Sequence, residues 1–153
     1  MRSAISAAAV LLAIGMAPGI LCAASVDDKS PDQQSIDALE ARITQAQPRE
    51  QCYLYAQLVH EMTEYSLRQY AAGDVDKANG LLKQIQQFAH KIHLSLGSDN
   101  KRLKNAEILL RHTAFRLTEM LRSSSYQDRD LVQQTLSQVN AAETEAMMDV
   151  FKK

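Results

Sequence analysis

Residues 75–96, VDKANGLLKQIQQFAHKIHLSL, decide the fold class. Val75, Ala78, Leu82, Ile85, Ala89, Ile92 and Leu96 recur at spacings of three and four, which gathers them on one stripe of an α-helix. The stretch is bracketed by stop and start signals. Gly73 is suited to a left-handed helix stop and Asp74 to a side-chain cap, while Gly97-Ser98-Asp99 ends this helix and prepares the next.

Working outward, the same period continues on both sides. Residues 49–72 carry Cys52, Tyr55, Leu58 or Val59, Met62, Tyr65 and Gln69 on one face. Before them, Ser30-Pro31-Asp32 reads as a cap followed by proline at the first helical place, opening a short helix with Ile36, Leu39, Ile43 and Ala46 on its stripe and Pro48 at its end. Residues 100–122 hold a broad apolar arc of Leu103, Ala106, Leu109, Leu110, Thr113, Ala114, Leu117, Met120 and Leu121. Residues 129–151 align Val132, Leu136, Val139, Ala142, Ala146 and Val150. Short connections make sequential helices antiparallel, so the expected fold is all-α: an up-and-down antiparallel bundle of four long helices with a short leading helix, in one domain over 31–153.

The first two dozen residues read as an export signal. Arg2 is a one-charge n-region, Ala4 to Ala17 an apolar h-region, and Cys22-Ala23-Ala24 supplies small residues for cleavage before Ser25. Pro18-Gly19 interrupts a segment already short for a membrane span. Residues 1–24 are therefore expected to be a signal peptide and 25–30 a flexible lead, with the mature chain periplasmic or secreted and without a stable membrane span. Lipidation at Cys22 is disfavoured because bulky Leu21 precedes it where that processing needs a small residue.

The mature 129 residues suffice for one core and not two. Loss of Arg2 leaves 16 Lys and Arg against 18 Asp and Glu, a formal charge of −2. A nucleic-acid binder would show a basic excess, so no nucleic-acid partner is expected. Aromatic residues are 5% and Trp is absent, a composition of helices and not of a sandwich or barrel. Cys52 is the single mature thiol; it is expected to be buried, with an intermolecular disulfide as the alternative.

The run Tyr70-Ala71-Ala72-Gly73-Asp74-Val75-Asp76-Lys77-Ala78 resembles the helix-turn-helix joint of a tetratricopeptide repeat, where a small residue and Gly end one helix and an Ala seats the next. The resemblance covers one hairpin and has no second copy at the repeat's period of about 34 residues, so it implies at most a helical-hairpin scaffold. Gly73, Val75, Ala78 and His93 are similar in spacing to the last helix of b562-type four-helix cytochromes, which would imply non-covalent haem with His93 and Met62 as axial ligands. Here that helix is not the last, no Met ligand lies near the chain start, and no Cys-x-x-Cys-His is present.

The histidines are the candidate metal ligands. His60 has Glu64 one turn on and Glu61 beside it, and His90 and His93 lie three apart, arrangements that suit a divalent metal and equally suit an exposed ion pair or a boundary hydrogen bond. Carboxylate-bridged di-iron chemistry is disfavoured because no Glu-x-x-His occurs. Catalytic motifs are also lacking.

The fourth helix carries a second stripe, Ile108, His112, Phe115 and Glu119, almost opposite its main arc. Ile36, Leu39 and Ile43 need a partner, so the first helix is expected to cover it; failing that, it is a dimer or ligand surface. The expected function is accordingly a non-enzymatic exported module that binds a protein or itself. A metal or haem carrier is the alternative.

Overall fold

A computed structural model describes residues 30–97 and 99–152, so the signal peptide expected over 1–24, and all but Ser30 of the lead expected over 25–30, lie outside the described residues. Five helices make up the fold: α1 (Gln33–Gln45), α2 (Pro48–Ala71), α3 (Val75–Ser95), α4 (Leu103–Ser123) and α5 (Arg129–Phe151). Among the described residues no strand occurs, and no helix is long and apolar enough to cross a membrane.

Helix ends follow local chemistry. Asp74 accepts from the Lys77 amide at 3.2 Å, and Gly73 takes φ +86°, a region that L side chains avoid. At α1 the cap falls at Asp32 instead of Ser30: its carboxylate accepts from the Ser35 amide at 2.8 Å, and Ser35 Oγ accepts from the Asp32 amide at 3.0 Å. A carboxylate that reaches the third amide, answered by a hydroxyl, satisfies two orphan donors, which Ser30 alone would not. At α4 the cap is Arg102 and not Asp99. Arg102 adopts φ +59°, and its guanidinium carbon stands 3.7 Å from the centroid of the Tyr53 ring of α2.

The apolar stripes meet in one core. Ile36, Leu58, Met62, Leu82, Ile85, Ile92, Leu110, Leu117, Met120, Val132 and Val139 are all fully buried. Cys52 is among them, and burial pushes its thiol up to about 11.

The order of helices around that core differs from a simple up-and-down ring. α2 packs on α3 and on α4, and α5 packs on α3 and on α4, while α3 and α4 do not pack on each other. Bonded partners across α2 and α4 advance together, from Glu50 with Lys101 to Glu64 with Arg116, so these neighbours are parallel. Asn79 with Asp128 and Gly97 with Asp149 show the same for α3 and α5. Directions alternate along the chain as expected, but the structure is two antiparallel hairpins, α2–α3 and α4–α5, stacked in the same sense.

Connection length explains the difference. The three residues between α2 and α3 and the five between α4 and α5 hold their helices side by side. The seven residues 96–102 can span about 23 Å at about 3.3 Å each, more than the roughly 14 Å diagonal of four helices spaced about 10 Å apart. It crosses that diagonal and is pinned at its far end, where the Lys101 amide donates to the Arg49 carbonyl at 2.8 Å. At the opposite end Asp128 joins the hairpins. It accepts from Tyr70 Oη at 3.1 Å, Asn79 Nδ2 at 2.9 Å and Ser125 Oγ at 2.6 Å.

α1 packs on α2, its stripe buried, and does not pack on α4. The expectation that it covers the second stripe of α4 is therefore incorrect. The two-residue link Ala46-Gln47 folds α1 back along α2, near the stacked Tyr55 and Phe88, whose ring centroids are 6.0 Å apart.

Parallel stacking makes a direct prediction. Carbodiimide treatment should couple Lys101 to Glu50 within one chain, because Nζ and Oε1 stand 3.5 Å apart. In a sequential ring α2 and α4 are diagonal; failure to recover that cross-linked peptide by mass spectrometry would count against the stacking. Leu117→Ala should also cost about 2–5 kcal/mol, whereas Leu94→Ala, at a site 69% exposed, should fall within about 0.5 kcal/mol of zero in chemical unfolding.

Candidate functional site

The candidate residues divide between two seams on opposite sides of the bundle. His60, Glu64, His112 and Glu119 belong to the α2–α4 side, His90 and His93 to the α3–α5 side.

On the first seam His60 is half-buried, its Nδ1 3.1 Å from Thr113 Oγ1, which itself donates to the Leu109 carbonyl. That hydroxyl donates elsewhere, so Nδ1 is assigned as the hydrogen-bearing nitrogen. Burial holds the imidazole below its ordinary 6.5, and the nearby His112 adds to the shift against the opposing pull of Glu64. The His60 and Glu64 arrangement is not an isolated exposed pair. Glu64 accepts two bonds from Arg116, at 2.7 Å from Nε and 3.1 Å from Nη2, and Arg116 also pairs with Glu119. Two carboxylates hold this guanidinium firmly protonated, with the Glu64 bonds the larger influence.

On the second seam His93 pairs through Nδ1 with Glu145 of α5, and the rings of His90 and His93 lie 6.0 Å apart. His90 is exposed. Met62 is fully buried on α2, which does not pack on α5, so the structure does not bring it to the side where His93 pairs with Glu145. Among the described residues no group of three or more His, Cys, Asp or Glu could hold a metal ion. His60 and Glu64 thus lie on the α2–α4 seam, and His90 and His93 on the α3–α5 side.

A carboxylate pair on α4 and α5 escaped the reading of the sequence. Glu107 is buried, accepts from Arg111 Nε at 3.0 Å and faces Glu143. Burial raises the Glu143 carboxyl, and the negative charge of Glu107 and a hydrogen bond to it raise it further. The four-residue spacing of Glu107 and Arg111 is a visible ion-pair signal, but the packing of α5 over Glu107 is not. Nearby Lys104, Arg111, Met147, Val150 and Phe151 line a cleft of about 270 Å³.

The second stripe of α4 is left open. Phe115 is 62% exposed and Ile108 39% exposed, with His112 exposed and Glu119 half-exposed beside them. Lys104 and Arg111 complete this outward face, and the exposed Met147 and Phe151 extend it towards α5. Among the described residues no helix covers these apolar side chains, which are ringed by charge.

His60 and Glu143 shape the acid response with opposite sign. His60 resists protonation in the fold while the unfolded chain accepts a proton near its ordinary value, so stability falls as pH drops through and below 6.5. Glu143 holds its proton more tightly when folded, so its contribution is present in acid and lost as pH rises through its raised value. His60→Gln should lessen the fall in Tm between about pH 7 and pH 5. Glu143→Gln should raise Tm at about pH 7 and lose that gain near pH 4. A pH-independent offset in either variant would contradict the assignment.

Compared with known protein families, with curated proteins and with solved structures, the chain matches none.

Proposed function

We propose that this protein is an exported, non-enzymatic helical module, periplasmic or secreted, that works by binding a protein or a second copy of itself through the outward face of α4. The observation that carries the reading is the exposure of Ile108 and Phe115 on a helix whose opposite face is fully committed to the core. Single exposed apolar residues are ordinary, but two aligned one above the other, with Met147 and Phe151 alongside, form a patch. The same-sense stacking of two helical hairpins supports the scaffold form of this reading, since stacked hairpins present rigid helix faces. The export segment supports the address.

A photoreactive benzoylphenylalanine replacing Phe115, used in cells that export the protein, should give adducts of defined mass. The same group replacing Leu94, an equally exposed site on α3, should not. Ile108→Ser combined with Phe115→Ser should weaken association at least about tenfold, the loss of more than 1.4 kcal/mol, while far-UV circular dichroism stays unchanged. Adducts equally abundant at both sites, or lost helicity in the double variant, would refute the reading.

A further inference from the structure

Resting on that reading of α4, we infer that its partner is a second copy of this chain, with the two α4 helices packed antiparallel about a two-fold axis between Arg111 and His112. The inference comes from the order of residues on the outward face. Ile108 lies three residues before Arg111 and Phe115 three after His112; Lys104 lies seven before Arg111 and Glu119 seven after His112. An axis at that midpoint sets Ile108 against the second copy's Phe115, and Lys104 against its Glu119. Each contact occurs twice, as an isologous interface requires.

The chemistry at each contact is complementary. Phe115 supplies a broad ring and Ile108 a branched aliphatic side chain at each of the two apolar contacts. Glu119 engages Arg116 through Oε2, which leaves Oε1 for a cation arriving from outside, and Lys104 is exposed. At the axis Arg111 meets the second copy's His112, whose imidazole offers a ring nitrogen to the guanidinium. Met147 and Phe151 stand beside Lys104 and border the same contact. Antiparallel pairing also sets the positive end of each α4 dipole beside the negative end of its mate. An unrelated partner needs no reversal of charge about the middle of its docking helix, whereas a second copy does.

Analytical ultracentrifugation of the full mature chain tests this with two charge reversals. Lys104→Glu creates two like-charge contacts across the axis, and so does Glu119→Lys; each variant alone should dimerise at least about tenfold more weakly than the wild type. Mixed in equal amounts, the two variants recover opposite charge at both contacts and should form a heterodimer of near wild-type affinity. Circular dichroism monitors folding, and if Glu119→Lys loses helicity through its tie to Arg116, Glu119→Gln replaces it, with an intermediate weakening expected. Single variants that dimerise like the wild type, or a mixture no tighter than its components, overturn the pairing. A wild type that stays monomeric while Phe115 still cross-links to another polypeptide overturns the second copy and leaves the binding surface standing; a monomer with no adducts overturns both.

Discussion

Parallel packing of α2 against α4 is the constraint from which the remaining geometry follows. It requires the connection 96–102 to cross the bundle, and it places the starts of both helices together, where the Arg49 carbonyl accepts from Lys101 and Tyr53 receives Arg102. Arg102 is the one non-glycine residue at positive φ among those described, a conformation that costs on the order of 1 kcal/mol and persists where surrounding contacts determine it. The contact with Tyr53 and the anchored Lys101 amide are such contacts. With α3 on a second side and α1 on a third, α2 is enclosed, which is why Leu54, Ala56, Thr63 and Ser66 are buried beyond its main stripe.

Because two hairpins stack side by side, each seam between them carries polar pairs that fix register. Ser66 donates to the Ala78 carbonyl inside the first hairpin, while Gln86 donates to Thr135 and Glu64 holds Arg116 between hairpins. Exposed ion pairs contribute little to stability, typically under about 1 kcal/mol, so their effect here is one of alignment. Sliding one hairpin along the other by a turn would separate Gln86 from Thr135 and Glu64 from Arg116 and also misplace the apolar layers. Asp128 acts similarly at the far end, where bonds from Ser125, Asn79 and Tyr70 keep its carboxyl below the usual range, with Ser125 the largest influence.

The same stacking leaves one face of α4 without cover. α4 has α2 and α5 as neighbours, and α1, the only remaining helix among those described, is tied by a two-residue link to α2. The outward residues of α4 combine branched, aromatic, cationic and anionic side chains in an order that reverses about its centre. That order is the one a two-fold pairing with a second copy would need.

Much of the fold was legible in the sequence because the helices are long and their stripes regular. Ala78, Leu82, Ile85, Ala89 and Ile92 are buried as their spacing requires, Gly73 and Asp74 shape the turn as their chemistry requires, and the boundaries of α2, α3 and α5 fall within a residue or so of those expected. The candidate site was less legible. Periodicity assigns His60 to a polar face and cannot show that α4 arrives there with Thr113, nor that α5 covers Glu107 with Glu143. By itself the sequence determined which residues are helical, where each helix stops and which side of it is apolar, since these depend on neighbours three or four residues away. The tertiary structure alone decided which helices adjoin, that α1 stays on α2, and that Ile108 and Phe115 remain outside, because an apolar stripe records that a face is buried and not what buries it.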